Sequence, residues 1–385
     1  MVEILAELFK EADPSEIDKI VYLTQGRVAP LYEPVEFQMA EKMVVRALAS
    51  AYNLEVEEVT RLYKKSGDLG VTAEELANKV NKINQRAWRA DAAKSNKVSN
   101  TVEQVFLKLK LITETSGEGS VEKKVKMLAD IFSDNDSLSN RFLARIPVDK
   151  MRLGFSDMTI LEGLSWMLDG TKKHKDKIET AYNIRPDLGY ICAQVKKRGI
   201  AGISHVEPVV GTPILVMRAE RLTSAEDILE KIGGKCAVEP KLDGLRTQLH
   251  VWKVEDRSQK LEVEVRMFSR GMENVTQMYP ELVKAAQKLD VDEVILDGEA
   301  IAIDNKTGKY LPFQETVQRK RKYDIGLFSQ DKPLKLVTFD CLYLNGKSLI
   351  DEPYVERRKI VEKLLGVARS EGPGARVIVP VEMEV

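Results

Sequence analysis

The hydrophobic period of this chain changes once, and that change dictates two kinds of domain in one polypeptide. Up to about residue 200, apolar residues recur at helical spacing. Asp13-Pro14-Ser15-Glu16 reads as an N-cap, a proline at the first helical position and a capping-box acid. Ile17, Ile20, Val21 and Thr24 then share one face, and Gly26 ends the helix. Thr72 with Glu75 repeats the capping logic before Leu76 and Val80, and Ser120 is placed to cap a helix whose face is Val121, Val125, Leu128 and Phe132. Glycine, proline and valine then accumulate in Gly199-Ile200-Ala201-Gly202 and Pro208-Val209-Val210-Gly211-Thr212-Pro213, which marks a domain boundary. Beyond it, Val263, Val265 and Met267 alternate with Glu262, Glu264 and Arg266, as in a half-buried strand. Val294-Ile295-Leu296 and Ala300-Ile301-Ala302-Ile303 flank Asp297-Gly298-Glu299, which reads as a turn with a carboxylate opening the next strand. Leu336 to Leu344 is apolar enough for a strand buried on both faces, and helical stretches lie around Pro280 to Leu289 and Tyr354 to Ala368. The expectation is a multidomain chain: an all-α domain over residues 1–205, then an α+β domain with an antiparallel-leaning sheet over 206–385.

Composition narrows the chemistry. The net charge of -1 conceals 59 basic and 60 acidic residues, so any cationic patch must be local. No apolar run is long enough to span a bilayer, and Met1-Val2-Glu3-Ile4 does not open a secretory signal. Cys192, Cys236 and Cys341 are far apart and odd in number, which fits a reducing compartment and gives no zinc-type cluster. His174, His205 and His250 are equally scattered. A metal here would be Mg²⁺ held by carboxylates and phosphates.

Lys241, in Glu239-Pro240-Lys241-Leu242-Asp243-Gly244-Leu245-Arg246, is the residue most suited to covalent chemistry. A lysine amine attacks the α-phosphate of a nucleotide only when unprotonated, which requires desolvation or neighbouring cations. Arg246 offers a fixed positive charge for the same phosphate, and Gly244 permits a tight backbone turn beside a ligand. K-x-D-G alone is too short to be specific, but it has company downstream. Phe268-Ser269-Arg270-Gly271 ends a strand with an arginine, Leu296-Asp297-Gly298-Glu299 places a carboxylate at the start of the next strand, and Phe339-Asp340 sits in a strand where an aromatic ring would ordinarily be core. Arg319-Lys320-Arg321-Lys322 is a dense cationic run, either a solvated face or a seat for a polyphosphate or DNA backbone.

The order and spacing of these features resemble the covalent nucleotidyltransferase superfamily of ATP-dependent DNA ligases, RNA ligases and mRNA-capping enzymes. Thr115 to Leu128, Lys150-Met151-Arg152-Leu153-Gly154, Ile184-Arg185-Pro186-Asp187-Leu188-Gly189 and Pro312-Phe313-Gln314 resemble ATP-dependent DNA ligases of the archaeal and eukaryotic replicative type. The resemblance covers nearly the whole chain. It implies a DNA-binding role for residues 1–205 and an adenylation role for 206–385. Lys241 would be the adenylylated nucleophile, and Glu239 the adenine-recognition residue. Arg246 and Arg270 would contact AMP and the nick phosphate, Glu299 would meet the ribose and help place metal, and Phe339 would stack on adenine. The implied cofactors are ATP and Mg²⁺, and the implied partner is nicked double-stranded DNA in replication, repair and recombination.

The resemblance also sets boundaries. After Val381 the family continues with Glu-Gly, an apolar residue and lysine, then an OB-fold, so the chain is expected to be C-terminally incomplete and not to seal nicks by itself. Lys150, Arg152, Lys172-Lys173-His174-Lys175 and Lys196-Lys197-Arg198 supply local cations for sequence-independent duplex binding. A sliding clamp is a conceivable partner, but no clear motif for one stands near Ala92 to Thr101; a membrane is not expected. Localisation would be cytoplasmic and nucleoid-associated in an archaeon, nuclear in a eukaryote. Two alternatives stay open: another lysine nucleotidyltransferase (RNA ligase or capping enzyme), against which the long helical N-terminal region argues, and a catalytically inactive DNA-binding or scaffold protein.

Overall fold

The computed structural model describes residues 1–88, 100–217, 219–255, 260–320, 329, 331–366 and 377–381, with the backbone alone for 81–88. Contacts divide the chain into two compact units: 1–30, 34–182 and 187–205 form the first, and 31–33, 183–186 and 206–385 the second.

The first unit is helical. Its helices are α1 (Val2–Glu11), α2 (Ile17–Thr24), α3 (Glu41–Tyr52), α4 (Val56–Ser66), α5 (Leu69–Trp88), α6 (Val102–Glu114), α7 (Ser120–Asp134), α8 (Ser137–Leu143), α9 (Asp157–Asp169), α10 (Lys175–Ile184, which runs past the unit's limit) and α11 (Leu188–Arg198). Leu48, Leu76, Leu109, Ile112, Leu128 and Phe132 are fully buried in one core. The starts of three helices differ from the sequence reading. Asp68, not Thr72, opens α5: its Oδ1 accepts the Gly70 and Val71 amides at 2.7 and 3.2 Å, while Thr72 lies inside the helix and donates to the Asp68 carbonyl. Ser120 is the first residue of α7 and caps nothing; the N-cap is Gly119, at φ 73°. The start of α2 differs as well: Asp13 is not its N-cap and Pro14 is not its first residue, because Pro14 to Glu16 form a turn in which Asp13 accepts the Ser15 amide, and the N-cap position falls to Glu16, which makes no side-chain cap bond. Thr101 and Gln104 form a reciprocal capping box at α6 that the sequence reading passed over.

The second unit is an antiparallel sheet backed by helices, with α12 (Ala225–Ile232) ahead of it. Strands β1 (Leu245–Glu255), β2 (Leu261–Ser269), β3 (Glu293–Ala302), β4 (Leu334–Leu344) and β5 (Lys347–Ser348) lie in the order β2-β1-β3-β4-β5, and β6 (Ile378–Pro380) pairs parallel with β4. Helices α13 (Pro280–Ala286), α14 (Phe313–Val317) and α15 (Tyr354–Leu365) complete it. Leu249, Leu296, Ala300, Leu336 and Cys341 point into one core with Leu282, Val361 and Leu365.

Two readings of this half are corrected. Asp297-Gly298-Glu299 is no turn: β3 runs straight through it. Leu296, Gly298, Ala300 and Ala302 occupy one face, so Asp297 and Glu299 fall together on the other. Gly298 is required because a Cβ there would stand 2.7 Å from the Val337 carbonyl oxygen. The second correction concerns Leu336 to Leu344, which is buried on both faces only in its first part: Leu336, Val337 and Thr338 are buried, whereas Phe339, Asp340 and Leu342 to Leu344 are half-buried. Among the described residues no helix is long and apolar enough to cross a membrane.

Candidate active site

The open face of the sheet gathers the polar residues of three strands. Register sets Arg246 opposite Glu299 and Gln248 opposite Asp297, and Asp297 opposite Asp340 on the next strand. Side chains alternate along a strand, so Arg246, Gln248 and His250 share the face with Asp297 and Glu299. His250 is fully buried, and burial lowers its pKa to about 3, so the ring is neutral. Its Nδ1 accepts the Gly211 amide at 3.1 Å, and the Gln248 Oε1 accepts the Ile214 amide at 2.7 Å. These bonds fasten the segment Gly211 to Ile214 against β1 as one wall of a small cleft lined by Ile214, Arg246, Phe268, Arg270 and Asp297 among others.

Lys241 stands just ahead of β1 and is exposed. The desolvation that sequence reasoning required for an unprotonated amine is therefore not supplied by the described residues. Gly244 works differently from the tight turn expected of it. Its Cβ would lie 2.6 Å from the Ala300 carbonyl oxygen and 2.7 Å from Ile301 Cγ1, so only glycine lets the Lys241 segment lie directly on β3. The Gly244 amide donates to Glu299 Oε1 at 3.2 Å. Burial pushes the Glu299 carboxyl above its usual range; the Gly244 bond and the charges of Arg246 and Lys241 oppose that push.

Arg246 is gripped from two sides. Its Nε donates to Asp297 Oδ1 at 2.6 Å and its Nη2 to Oδ2, a bidentate fork. Its guanidinium carbon lies 4.4 Å from the centre of the Phe339 ring. Phe339 and Leu242 pack on Ile301, Val337 and Val381, which ties the Lys241 loop to the aromatic ring. Beside this, Arg357 forms a second fork on Asp340, at 2.8 and 2.9 Å. The Tyr354 hydroxyl donates to Glu239 Oε1 and lies 3.0 Å from the Phe339 carbonyl oxygen.

Arg246, Glu299 and Phe339 thus share one face, Glu239 is tied to Phe339 through Tyr354, Lys241 stands exposed on the loop just ahead of β1, and Arg270, also exposed, lines the cleft with Arg246. Sequence reasoning gave no role to Asp297, Asp340, Tyr354 or Arg357. The alternation through Asp297 and Glu299 was the signal for the first; nothing local marks Tyr354 and Arg357, whose partners are 115 and 17 residues away. The cationic run is divided. Arg319 is 1% exposed and bonds Glu281 at 2.6 Å, so it is part of the core, and Lys320 pairs with Glu273. Arg321 and Lys322 lie outside the described residues, as does most of the Ala92 to Thr101 stretch. Among the described residues no cluster of three or more His, Cys, Asp or Glu suits a metal. Glu299 is the site's one carboxylate named for that task, and its second oxygen has no partner among the described residues.

Residues 216–379 match the model of the ATP dependent DNA ligase domain, and residues 1–165 that of the DNA ligase N terminus. The chain belongs to the ATP-dependent DNA ligase family. It is 40% identical over 365 residues to "DNA ligase 2" of Thermofilum pendens, covering 95% of this chain and 59% of that protein. It is 42% identical over 366 residues to "Probable DNA ligase" of Dictyoglomus thermophilum, covering 95% and 58%. The chain thus spans less than two thirds of the length of these relatives. The ligase domain of M. tuberculosis LigD aligns over 38% of this chain and 40% of its own at 28% identity, with a TM-score of 0.26, too low to speak for the fold.

Proposed function

We propose that this chain is the DNA-binding and adenylating part of an ATP-dependent, nick-joining ligase, with residues 1–205 engaging the duplex and 206–385 carrying the chemistry. Lys241 Nζ attacks the α-phosphorus of ATP. A P–N bond forms, the bond from that phosphorus to the bridging oxygen breaks, pyrophosphate leaves with the electron pair, and the amine's proton passes to solvent. The adenylyl group then moves to the 5′-phosphate of a nick, and the 3′-hydroxyl displaces AMP. The observation that supports this best is that the segment carrying Lys241 is held beside an acid, a guanidinium and an aromatic ring: Gly244 donates to Glu299, Arg246 lies over Phe339, and Leu242 packs in one cluster with Phe339.

In this reading Glu239 meets the adenine edge, Phe339 its face, Glu299 the ribose, and Arg246 and Arg270 the phosphates. A single carboxylate suits Mg²⁺, which keeps several waters and takes its remaining oxygens from phosphate; Glu299 would hold it, and it would stabilise charge on the phosphoryl oxygens. For DNA, Lys197 and Arg198 have no ion-pair partner among the described residues. Lys150, Arg152, Lys172 and Lys175 are paired with Glu41, Asp68 or Glu162 and must exchange those partners for phosphate. Duplex affinity is expected to fall steeply as salt rises.

The test is covalent labelling of the protein that carries this chain with α-labelled ATP, followed by mass spectrometry of its peptides. AMP on Lys241, absent in Lys241→Ala and not replaced by GMP from GTP, is the expected result. An adduct on any other residue would overturn the assignment.

A further inference from the structure

Tyr354 is half-buried at the start of α15, and nothing in the proposed chemistry uses it. Its hydroxyl sits between Glu239 Oε1 and the Phe339 carbonyl oxygen, so one atom touches the residue proposed for the adenine edge and the residue proposed for its face. Both neighbours are acceptors and the hydroxyl has one proton. Glu239 is the charged acceptor of the two, so the proton belongs there. Burial and the Glu239 carboxylate push the Tyr354 hydroxyl above its ordinary range, so it stays a donor throughout neutral pH. The ring is held in turn: the Arg357 guanidinium carbon lies 5.5 Å from its centre, and that arginine is locked on Asp340 and on the Ile350 and Glu352 carbonyls.

We infer that Tyr354 is a positioning residue that selects adenine over guanine by acting through Glu239. The inference rests on the proposed adenylation site and deepens it. With Oε1 occupied by the tyrosine proton, Glu239 presents Oε2, which has no partner among the described residues, as a fixed acceptor. Adenine offers a 6-amino donor to such an oxygen. Guanine offers a 6-oxo acceptor, and two acceptors facing each other repel. A carboxylate free to rotate would meet adenine less often in the right orientation. Tyr354 therefore improves the fit to adenine without touching the base.

The experiment is calorimetric titration of the chain with ATP and, separately, GTP, for wild type, Tyr354→Phe, Glu239→Ala and the double variant. Tyr354→Phe keeps the ring and removes only the hydroxyl. It is expected to weaken ATP about tenfold, the size of one hydrogen bond to a charged group, and to leave GTP unchanged. In the Glu239→Ala background the same change should do nothing further to ATP, because the tyrosine has lost the group it acts through. If Tyr354→Phe weakens ATP and GTP alike, or weakens ATP equally with and without Glu239, the tyrosine supports the site only as structure and the inference is wrong. If Tyr354→Phe keeps the wild-type preference, the inference also fails while the adenylation reading stands. A wild-type chain that binds neither nucleotide sinks both.

Discussion

Two acids, Asp68 in the helical unit and Glu299 in the sheet unit, are served in opposite ways. In the helical unit the buried acid Asp68 is saturated. Asp68 accepts two backbone amides, both faces of the Arg145 fork and the Arg152 guanidinium, and no lone pair is left for a ligand. Two lysines there are closed off as well: Lys124, 3% exposed, donates to the Phe37 carbonyl, and Lys196 donates to the Phe9 and Lys10 carbonyls at the end of α1. In the sheet unit Asp297 and Asp340 are closed by arginine forks, but two other carboxylates are half-served. Glu299 and Glu239 each use one oxygen, toward Gly244 and Tyr354, and keep the other. A saturated buried acid is scaffold. A half-buried acid with a spare oxygen on an open face is a candidate for meeting a ligand.

Substitution tests that contrast directly. Asp68→Ala strands Arg145 without its partner, and the helical unit should lose about 3–5 kcal/mol in urea denaturation; a loss under 1 kcal/mol would place Asp68 outside the scaffold. Gly298→Ala drives a Cβ into the Val337 carbonyl. It should cost the sheet unit about 1–3 kcal/mol and, by displacing Asp297 and Glu299, weaken ATP as well. Lys196→Ala removes one ammonium from the end of α1 and should cost about 1 kcal/mol. Glu299→Gln should change stability least of all, or raise it at neutral pH, because burial already disfavours the charged form; nucleotide binding should nevertheless be lost. A large destabilisation by Glu299→Gln would erase the distinction between the two acids.

The pH dependences should carry opposite signs. Burial alone would raise Asp68, but the Arg145 fork and the α5 amides outweigh it and hold its carboxyl below the ordinary aspartate range. Its stabilisation is complete above the unfolded value and disappears as pH falls through the depressed folded value. The stability gap between wild type and Asp68→Asn should therefore close in acid. Glu299 is raised by burial, so its ionisation destabilises the fold, and wild type should lose ground to Glu299→Gln as pH rises through that raised value. Melting curves of the three proteins across pH would show both trends.

Much of the site was legible because strand chemistry is local. Lys241, Gly244 and Arg246 stand within six residues, and the change of period near residue 200 separates helices from strands without any contact being known. The misreadings have a common cause. Asp-Gly is a turn signal in isolation, yet β3 continues because its alternate residues fit a core and Gly298 fits against β4. Arg319 opens a run of cations in sequence, yet packing turns it inward to Glu281. Thr72 has the spacing of a cap, but Asp68 has better geometry one turn earlier.

By itself, then, the sequence determined which residue types are available and their period along the chain: helices first, strands afterwards, and a lysine followed by glycine and arginine at the head of a strand. Only the tertiary structure decided which charges are satisfied. Whether a carboxylate is closed by five donors, as at Asp68, or left with an open oxygen, as at Glu299, depends on side chains dozens of residues away. A local pattern carries no information about them, because the free energy of a buried charge is set by everything that surrounds it.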